Sequence, residues 1–578
     1  MNGVLTALLT TLVVAPAPAR AVRHRIVLDG RFDDWADVTP ACEAARARDG
    51  GGSSTPGRSA GAVDIGRVWL AEDEERFYLS FEIVGEARLL AESALRLCLD
   101  IDDDAATGFL VWPLGVDFSW EFDRCRGVFH DGGRATDVSW RETGFTILPA
   151  HAATRFELCF DRAARLDGEH LLFPGGASRL LFEGAASCAG PIEYAFERGD
   201  PLAPLETIPL EKADPRACRL LTYNVRRDGL FDPGRTASFA RILRAVDPDV
   251  IAFQELYLHD AGETRERLEE WLGGEWNASR SGDLIVAARR PILSMRPLAG
   301  NRAAAFAVSS CLDGARDLTL VDAHLSCCAH EPERLAQAAA IRAFLREICA
   351  AADPSAPAIP TVVAGDLNLV ATSAPLDTLL DASDLRDLTP REPARPFACT
   401  WIPATDDYSP ARLDFVLIQE ADLRPIREIV LRTDTLSPET LESHGLHAHD
   451  TQIASDHLPV FIDLLPAETV VPPPAMPWRL ALAGPNPAST EVHLTLQVSE
   501  SARRVRGVLM TSVRNCAGRT IARLSSTPLV PGLHELLWDC TTAQGRPAHA
   551  GIYWICTVNT AEPHASITPQ SIPVVLIR

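Results

Sequence analysis

Basic charge is scarce in this sequence. The chain has 578 residues and a formal net charge of −23 at pH 7, and Lys212 is its only lysine. Proteins that hold nucleic acid by neutralising phosphates usually present a basic surface, so the composition argues against tight, non-specific DNA binding. It does not exclude a nuclease, because a bound metal ion can supply positive charge at the site.

Long apolar runs are also missing beyond the first residues. No later stretch reaches the roughly 20 apolar residues that a membrane-spanning helix needs. The short apolar run 4–14 and the following Ala19-Arg20-Ala21 have the pattern of a signal peptide, although no basic residue precedes the run. We therefore predict that residues 1–21 are a signal peptide and that a bacterium exports the mature protein to its periplasm, its surface or the medium. The alternative is a buried N-terminal strand or a frayed terminus.

The 14 cysteines include no C-x-x-C pair. This absence argues against zinc ribbons and thioredoxin-like chemistry. The cysteine number is consistent with an oxidising compartment, but the spacing indicates no particular disulfide pairing.

Two proline-rich stretches divide the chain into three segments. They cover residues 199–215 and 466–477, and the second contains three consecutive prolines, which favour a stiff, extended spacer. We therefore predict domains at residues 25–200, 216–466 and 478–578.

The two outer segments alternate in the manner of β-strands. The first begins with I-V-L-D-G and D-D-W at residues 26–35, and it resembles secreted carbohydrate-binding (family 9) or DOMON-like β-sandwiches. The last contains P-N-P, G-x-H-x-L-x-W-D and A-G-I-Y, and it resembles the FlgD-like immunoglobulin-type β-sandwich. These resemblances imply glycan binding for the first segment, and a sorting signal or a passive spacer for the last.

An acidic turn lies within the first segment. Asp100, Asp102 and Asp104 precede Gly108, and Asp117 follows nearby. Hard oxygen ligands around a glycine turn suit Ca²⁺, so we predict a structural calcium site at these four residues. A solvated acidic loop is the alternative.

The middle segment changes pattern, because its apolar strands alternate with helical stretches and end in polar residues. Asn224, Glu255 and His324 each follow such a strand, as does the G-D-L-N stretch 365–368. A single asparagine at a strand end is usually turn chemistry. Several such ends in order instead predict a site at one edge of a sheet.

Six short motifs in this order resemble the endonuclease/exonuclease/phosphatase superfamily, which includes the DNase I-like nucleases. They are Y-N-V, Q-E-L, D-A-H-L, G-D-L-N, R-L-D-F-V-L and S-D-H-L-P-V. The resemblance covers about 250 residues and implies an α/β fold, a four-layered sandwich of two packed β-sheets flanked by helices. It also implies a site at eight positions: Asn224, Glu255, His324, Asp366, Asn368, Asp414, Asp456 and His457.

The chemistry of these side chains suits phosphate ester hydrolysis, which needs a cation, a base and help for the leaving oxygen. Glu255, with Asn224 and Asp456, would hold Mg²⁺ or Mn²⁺. Asn224, His324 and Asn368 would contact the substrate phosphate, and His324 would also assist the leaving group. His457 oriented by Asp414, or else Asp366 with Asn368, would activate water.

We therefore predict an exported, metal-dependent phosphoesterase that acts on phosphodiesters, with nucleic acid as the first candidate. A phospholipid or sugar-phosphate substrate is the alternative within the same fold. A glycan-binding surface protein with an inactive middle segment is the alternative from another class.

Overall fold

The structure is a computed structural model, and it describes residues 19–20, 22–43, 63–89, 93–184, 190–196, 200–312, 316–351, 359–381, 384–467, 478–484, 486–498, 508–515, 519–528, 530–559 and 570–577. The chain divides into two compact units, Met1–Glu468 and Thr469–Arg578. Apart from Ala19 and Arg20, the predicted signal peptide lies outside the described residues. Of the helices that the structure describes, none has both the length and the apolar character of a membrane span.

The described residues among the first 200 form two large β-sheets that share a hydrophobic core, and Phe109–Val111 and Leu114–Val116 form a separate two-stranded sheet. One sheet has the order β1-β15-β14-β6-β9-β10-β11, and the other has the order β12-β13-β5-β4-β2 with β3 paired to β4. Phe81 of β5 and Phe118 of β9 both lie in the shared core and are fully buried. Cys42 is disulfide-bonded. The strands are β1 (Ala19–Arg20), β2 (Val22–Arg23), β3 (Cys42–Glu43), β4 (Ile65–Glu72), β5 (Arg76–Ala87), β6 (Arg96–Asp100), β7 (Phe109–Val111), β8 (Leu114–Val116), β9 (Phe118–Glu121), β10 (Arg126–Asp131), β11 (Arg134–Val138), β12 (Thr146–Leu148), β13 (Ala153–Asp161), β14 (Ala177–Glu183) and β15 (Ile192–Ala195), with a short helix α1 (Trp140–Thr143).

The middle of the chain contains two six-stranded sheets, with the orders β18-β19-β17-β16-β27-β26 and β20-β21-β22-β23-β25-β24. Their strands are β16 (Cys218–Asn224), β17 (Val250–Gln254), β18 (Asn277–Ser281), β19 (Leu284–Ala288), β20 (Ile292–Leu298), β21 (Ala303–Leu312), β22 (Arg316–His324), β23 (Thr361–Asp366), β24 (Leu385–Leu388), β25 (Asp414–Gln419), β26 (Leu423–Val430) and β27 (Val460–Pro466). The helices are α2 (Thr236–Val246), α3 (Ala261–Leu272), α4 (Glu331–Ala351), α5 (Ala374–Leu380), α6 (Pro438–His444) and α7 (Asp450–Ala454).

Alternation along the strands produces the layers of this α/β fold. Successive side chains of a strand point to opposite faces, so Leu220 of β16 packs between the two sheets while Leu221 packs outside them, in one core with α2. On the second sheet, Val362 faces the other sheet and Val363 shares a core with α4 and α5. The strands are therefore apolar on both faces, which is why they appear in the sequence as continuous apolar runs.

The first and middle segments are packed within one compact unit. Leu28 accepts a backbone hydrogen bond from Ala398 at 2.9 Å and donates one to Pro396 at 2.8 Å. The predicted linker 199–215 belongs to the same unit, because the Leu210 carbonyl accepts a hydrogen bond from the buried Arg219 at 2.8 Å.

The second unit has two further sheets, with the orders β28-β29-β32 and β31-β30-β33-β34. Leu496 of one sheet and Ile555 of the other lie in the same hydrophobic core. The strands are β28 (Trp478–Leu482), β29 (Val492–Val498), β30 (Val508–Asn515), β31 (Thr520–Pro528), β32 (Gly532–Trp538), β33 (Gly551–Asn559) and β34 (Gln570–Leu576).

Candidate active site

Strand register gathers the predicted polar residues at one end of the two middle sheets. Asn224 and Gln254 are paired at the ends of the parallel strands β16 and β17. In the other sheet, His324 pairs with Asp366, and Asp366 pairs with Asp414 across β22, β23 and β25. Positions that are far apart in sequence therefore become neighbours.

One carboxylate oxygen, Oδ2 of Asp366, lies at the centre of this group. It accepts a hydrogen bond from Asn224 Nδ2 at 3.1 Å. The Nε2 atoms of His457 and His324 lie 3.7 and 3.9 Å from the same oxygen. Burial raises the pKa of Asp366 to about 6, and the two histidines oppose the rise.

Gly365 allows the backbone to reach this position. Its φ is +137°, and a Cβ atom there would lie 1.9 Å from the carbonyl oxygen of Ala323 in the neighbouring strand. Only glycine fits such a close approach between strands.

His457 and Asp414 form a buried pair beside Asp366. His457 Nδ1 lies 2.8 Å from Asp414 Oδ2, and the backbone N–H of Asp414 is held by Thr400 Oγ1 at 2.9 Å. Burial by itself lowers the pKa of His457, but the charges of Asp414 and Asp366 outweigh it and raise the pKa to about 10. The imidazole is therefore favoured in its protonated form at neutral pH.

His324 has a carboxylate partner that the sequence reasoning missed. Its Nδ1 lies 2.5 Å from Asp283 Oδ2, and Arg302 Nη1 lies 3.9 Å from that oxygen. Burial lowers the pKa of His324, yet Asp283 and Asp366 raise it by more. The available signal was the Gly282-Asp283 turn between β18 and β19, where an aspartate again stands at a strand end.

Glu255 and Asn224 connect the first sheet to Asp366. Asn224 Nδ2 lies 3.3 Å from Glu255 Oε1 as well as 3.1 Å from Asp366, so both carboxylates face one buried point. Glu255 is held in place by the backbone N–H of Arg227 at 2.9 Å. The carboxylates of Glu255 and Asp366 are hard oxygen ligands of the kind that Mg²⁺ prefers, so they fit a divalent cation. Asn224 presents its Nδ2 donor to them, and its Oδ1 accepts a hydrogen bond from the backbone N–H of Arg226 at 3.0 Å.

The structure places Asn368 and Asp456 at the margin of the group. Asn368 Nδ2 donates to the Leu325 carbonyl at 2.9 Å, so one of its two N–H groups supports the turn. Asp456 Oδ2 lies 3.6 Å from Arg226 Nε.

The acidic turn of the first segment gathers three of its four predicted ligands. Carboxylate oxygens of Asp100, Asp102 and Asp117 lie within 4.8 Å of one another. Asp104 is not part of this group, because its Oδ1 accepts a hydrogen bond from the backbone N–H of Ala106 at 2.9 Å. Asp104 therefore shapes the turn with this oxygen, and its predicted role as a calcium ligand stays a prediction.

Comparison with known proteins places the middle segment in a family. No curated protein matches the chain. Solved structures that resemble part of it include ANGEL2, a 2',3'-cyclic phosphatase, in complex with adenosine-2',3'-vanadate, with 15% identity and a TM-score of 0.32 over 44% of this chain and 97% of that chain. Truncated TDP2 from Caenorhabditis elegans has 16% identity and a TM-score of 0.31 over 43% of this chain and 97% of that chain. Sphingomyelinase C from Streptomyces griseocarneus has 18% identity and a TM-score of 0.28 over 43% of this chain and 99% of that chain.

The family model described as Endonuclease/Exonuclease/phosphatase family matches residues 221–457. This range contains every residue of the cluster around Asp366. The segment from residue 221 to residue 457 is therefore a domain of the Endonuclease/Exonuclease/phosphatase family.

Proposed function

We propose that this protein is an exported, divalent-metal-dependent phosphoesterase that hydrolyses phosphodiester bonds, with nucleic acid as the first candidate substrate. The observation that carries the proposal is the convergence of Asn224, His324 and His457 on Asp366 Oδ2, within 3.9 Å. A buried carboxylate that faces two histidines provides both a proton acceptor and proton donors.

The cation fits best at Glu255, which leaves Asp366 Oδ2 available as the proton acceptor. Asp366, Asp414 and His457 also offer ligand atoms within 4.8 Å of one another. We favour the Glu255 side because Asp414 already accepts the His457 Nδ1 hydrogen bond. When bound, Mg²⁺ or Mn²⁺ neutralises charge on the phosphate.

Individual side chains carry out the proton transfers of hydrolysis. A bond forms between the water oxygen and phosphorus, and the bond from phosphorus to the leaving oxygen breaks. Asp366 accepts the water proton, and the protonated His457, which Asp414 keeps oriented, donates a hydrogen bond toward the phosphate. His324, whose pKa is raised beside Asp283 and Asp366, donates a proton to the leaving oxygen.

Hydrolysis of bis-p-nitrophenyl phosphate, measured with Mg²⁺ and after chelation, tests this proposal. We expect chelation to abolish the activity, and Asp366→Asn and His457→Gln to lower kcat by about 10²-fold or more. His330→Gln is the matched control, since that side chain is 63% exposed. Full activity in the presence of chelator would remove the metal from the proposal, and a normal rate in both site variants would remove the site. DNA, RNA, phospholipid and phosphomonoester substrates, assayed in parallel, separate the leading substrate from its alternatives.

Export predicts that the mature chain begins after Ala21. N-terminal sequencing of the protein recovered from the periplasm or medium checks this, and an intact N-terminus on the active protein would contradict it. Glycan binding by residues 25–200 and sorting by residues 478–578 stay predictions; binding of the full chain to a glycan array tests the first.

We also propose that Asp100, Asp102 and Asp117 hold a structural Ca²⁺. Asp100 is fully buried and its Oδ1 has no hydrogen-bond partner among the described residues, while burial raises the pKa of Asp117 to about 6. A bound cation would pair with the buried Oδ1 of Asp100 and would stabilise the ionised form of Asp117. Ca²⁺ should raise the Tm of the wild-type protein but not of Asp117→Asn, and equal shifts in both would contradict the site.

A further inference from the structure

A cleft of about 500 Å³ lies beside the candidate active site, and both segments of the first unit line it. Trp140 and Arg141 contribute from the first segment. Arg226, Ser455 and Asp456 line the part that adjoins Asn224, whose carbonyl accepts a hydrogen bond from Ser455 Oγ at 2.8 Å. The volume is in the range of pockets that bind small organic ligands.

Three of the four carboxylates that line this cleft each have an arginine partner. Asp161 pairs with Arg76, and Asp434 accepts hydrogen bonds from Arg432 at 2.8 and 3.0 Å. Asp456 faces Arg226 at 3.6 Å.

The fourth carboxylate, Glu392, lies between two arginines. Its oxygens are 3.6 Å from Arg432 and 3.9 Å from Arg395, and neither oxygen accepts a hydrogen bond within the described part of the chain. Arg141 also lines the cleft, and its guanidinium is engaged by Asp406 and by the Pro403 carbonyl.

Arg395 and Arg226 are cations of the cleft whose guanidinium groups donate no hydrogen bond within the described part of the chain, and Arg395 is the more buried of the two. Its side chain is 25% exposed, its guanidinium stacks on Phe397 at 4.7 Å, and burial lowers its pKa. Its closest carboxylate oxygen, on Glu392, lies beyond hydrogen-bond distance. A mostly buried guanidinium with unused N–H groups gains strongly from an anionic acceptor.

We propose that this cleft, which we call the Arg395 cleft, binds a second phosphate group of the substrate, covalently linked to the scissile phosphodiester. The first segment then forms one wall of the substrate-binding site, in addition to the glycan binding predicted for it. This inference rests on the proposed phosphodiesterase function for the identity of the scissile bond. It narrows the substrate to molecules with at least two phosphates, such as an oligonucleotide.

Two matched substrates test the inference on the full chain: p-nitrophenyl thymidine 5'-phosphate with and without a 3'-phosphate. We expect kcat/KM to be higher for the substrate with the second phosphate, and Arg395→Gln to lower this preference by about 10- to 100-fold. Arg395→Met keeps an apolar stem over Phe397 and serves as a second variant if Arg395→Gln does not fold. Arg424→Gln, at an exposed position of β26, is the matched control and should keep the wild-type preference.

Calorimetric binding of thymidine 3',5'-bisphosphate and thymidine 5'-monophosphate separates this inference from the proposed function. If neither ester is hydrolysed, the proposed function fails, but tighter binding of the bisphosphate that is lost in the Arg395 variants still supports the cleft. Equal binding of the two nucleotides by the wild-type protein would overturn the inference. A full preference retained in a folded Arg395 variant would overturn it as well.

Discussion

Asp414→Asn should reduce hydrolysis through its effect on His457. Both side chains are buried, and the 2.8 Å contact between Asp414 Oδ2 and His457 Nδ1 is charge-assisted. Two opposite charges about 4 Å apart interact by about 4 kcal/mol at the effective dielectric constant typical of proteins. Because one pKa unit corresponds to about 1.4 kcal/mol, losing the Asp414 charge should lower the His457 pKa from about 10 by roughly three units.

The same energy sets the expected kinetic loss. At neutral pH His457 would then be only partly protonated and no longer oriented by Asp414, so kcat should fall, by up to about 10³-fold if the whole of the ~4 kcal/mol acts in the transition state. The assay is single-substrate kinetics on bis-p-nitrophenyl phosphate at saturating Mg²⁺, together with NMR titration of His457. Asp247→Asn is the control, since this aspartate forms a largely exposed ion pair with Arg289. A folded Asp414→Asn protein with a rate within threefold of wild type and an unchanged His457 pKa would refute the assigned role.

Two further predictions concern stability. Gly365→Ala should lower the free energy of unfolding in denaturant by about 3 kcal/mol, because the new Cβ would lie 1.9 Å from the Ala323 carbonyl oxygen. Gly190→Ala is the control and should change the stability little, since no atom lies within 4 Å of its Cβ position. Equal effects of the two substitutions would contradict the close approach. Burial raises the pKa of Asp322 well above its usual value, so its contribution to stability is fully present below the unfolded pKa of about 4 and is lost as pH rises through the folded pKa. Asp322→Asn keeps an oxygen acceptor for Gln254 Nε2, which lies 2.7 Å from Asp322 Oδ1. The free energy of unfolding of this variant should therefore rise relative to that of the wild type as the pH rises from about 5 to about 8. A difference that does not change with pH would contradict this assignment.

Asp283 shows why part of the site could not be predicted from the sequence. It is 41 positions from its partner His324 and lies on a turn of the other sheet. Nothing in the local sequence distinguishes this turn aspartate from those that only shape a loop. Asp104 shows the same limit, because its spacing suits a calcium ligand while the structure shows its Oδ1 accepting a hydrogen bond from the turn backbone.

The Arg395 cleft also depends on packing that the sequence does not display. The proline-rich stretch 199–215 predicts a domain boundary, and in the structure Leu28 and Leu210 lie in one compact unit with the middle segment. A cleft between two parts of a unit is created by their docking, which depends on surface complementarity and not on local periodicity.

The apolar strands of the middle segment and the polar residues at their ends are predictable from local sequence, because backbone alternation and strand termination are local properties. Asn224, Glu255, His324, Asp366 and His457 were therefore identifiable one by one. That Asn224 and both histidines converge on one oxygen of Asp366 is visible only in the fold, since it requires the strand register of both sheets and their packing. The fold likewise assigns Asp283 to His324, because distance in space, not spacing along the chain, sets which charged groups interact.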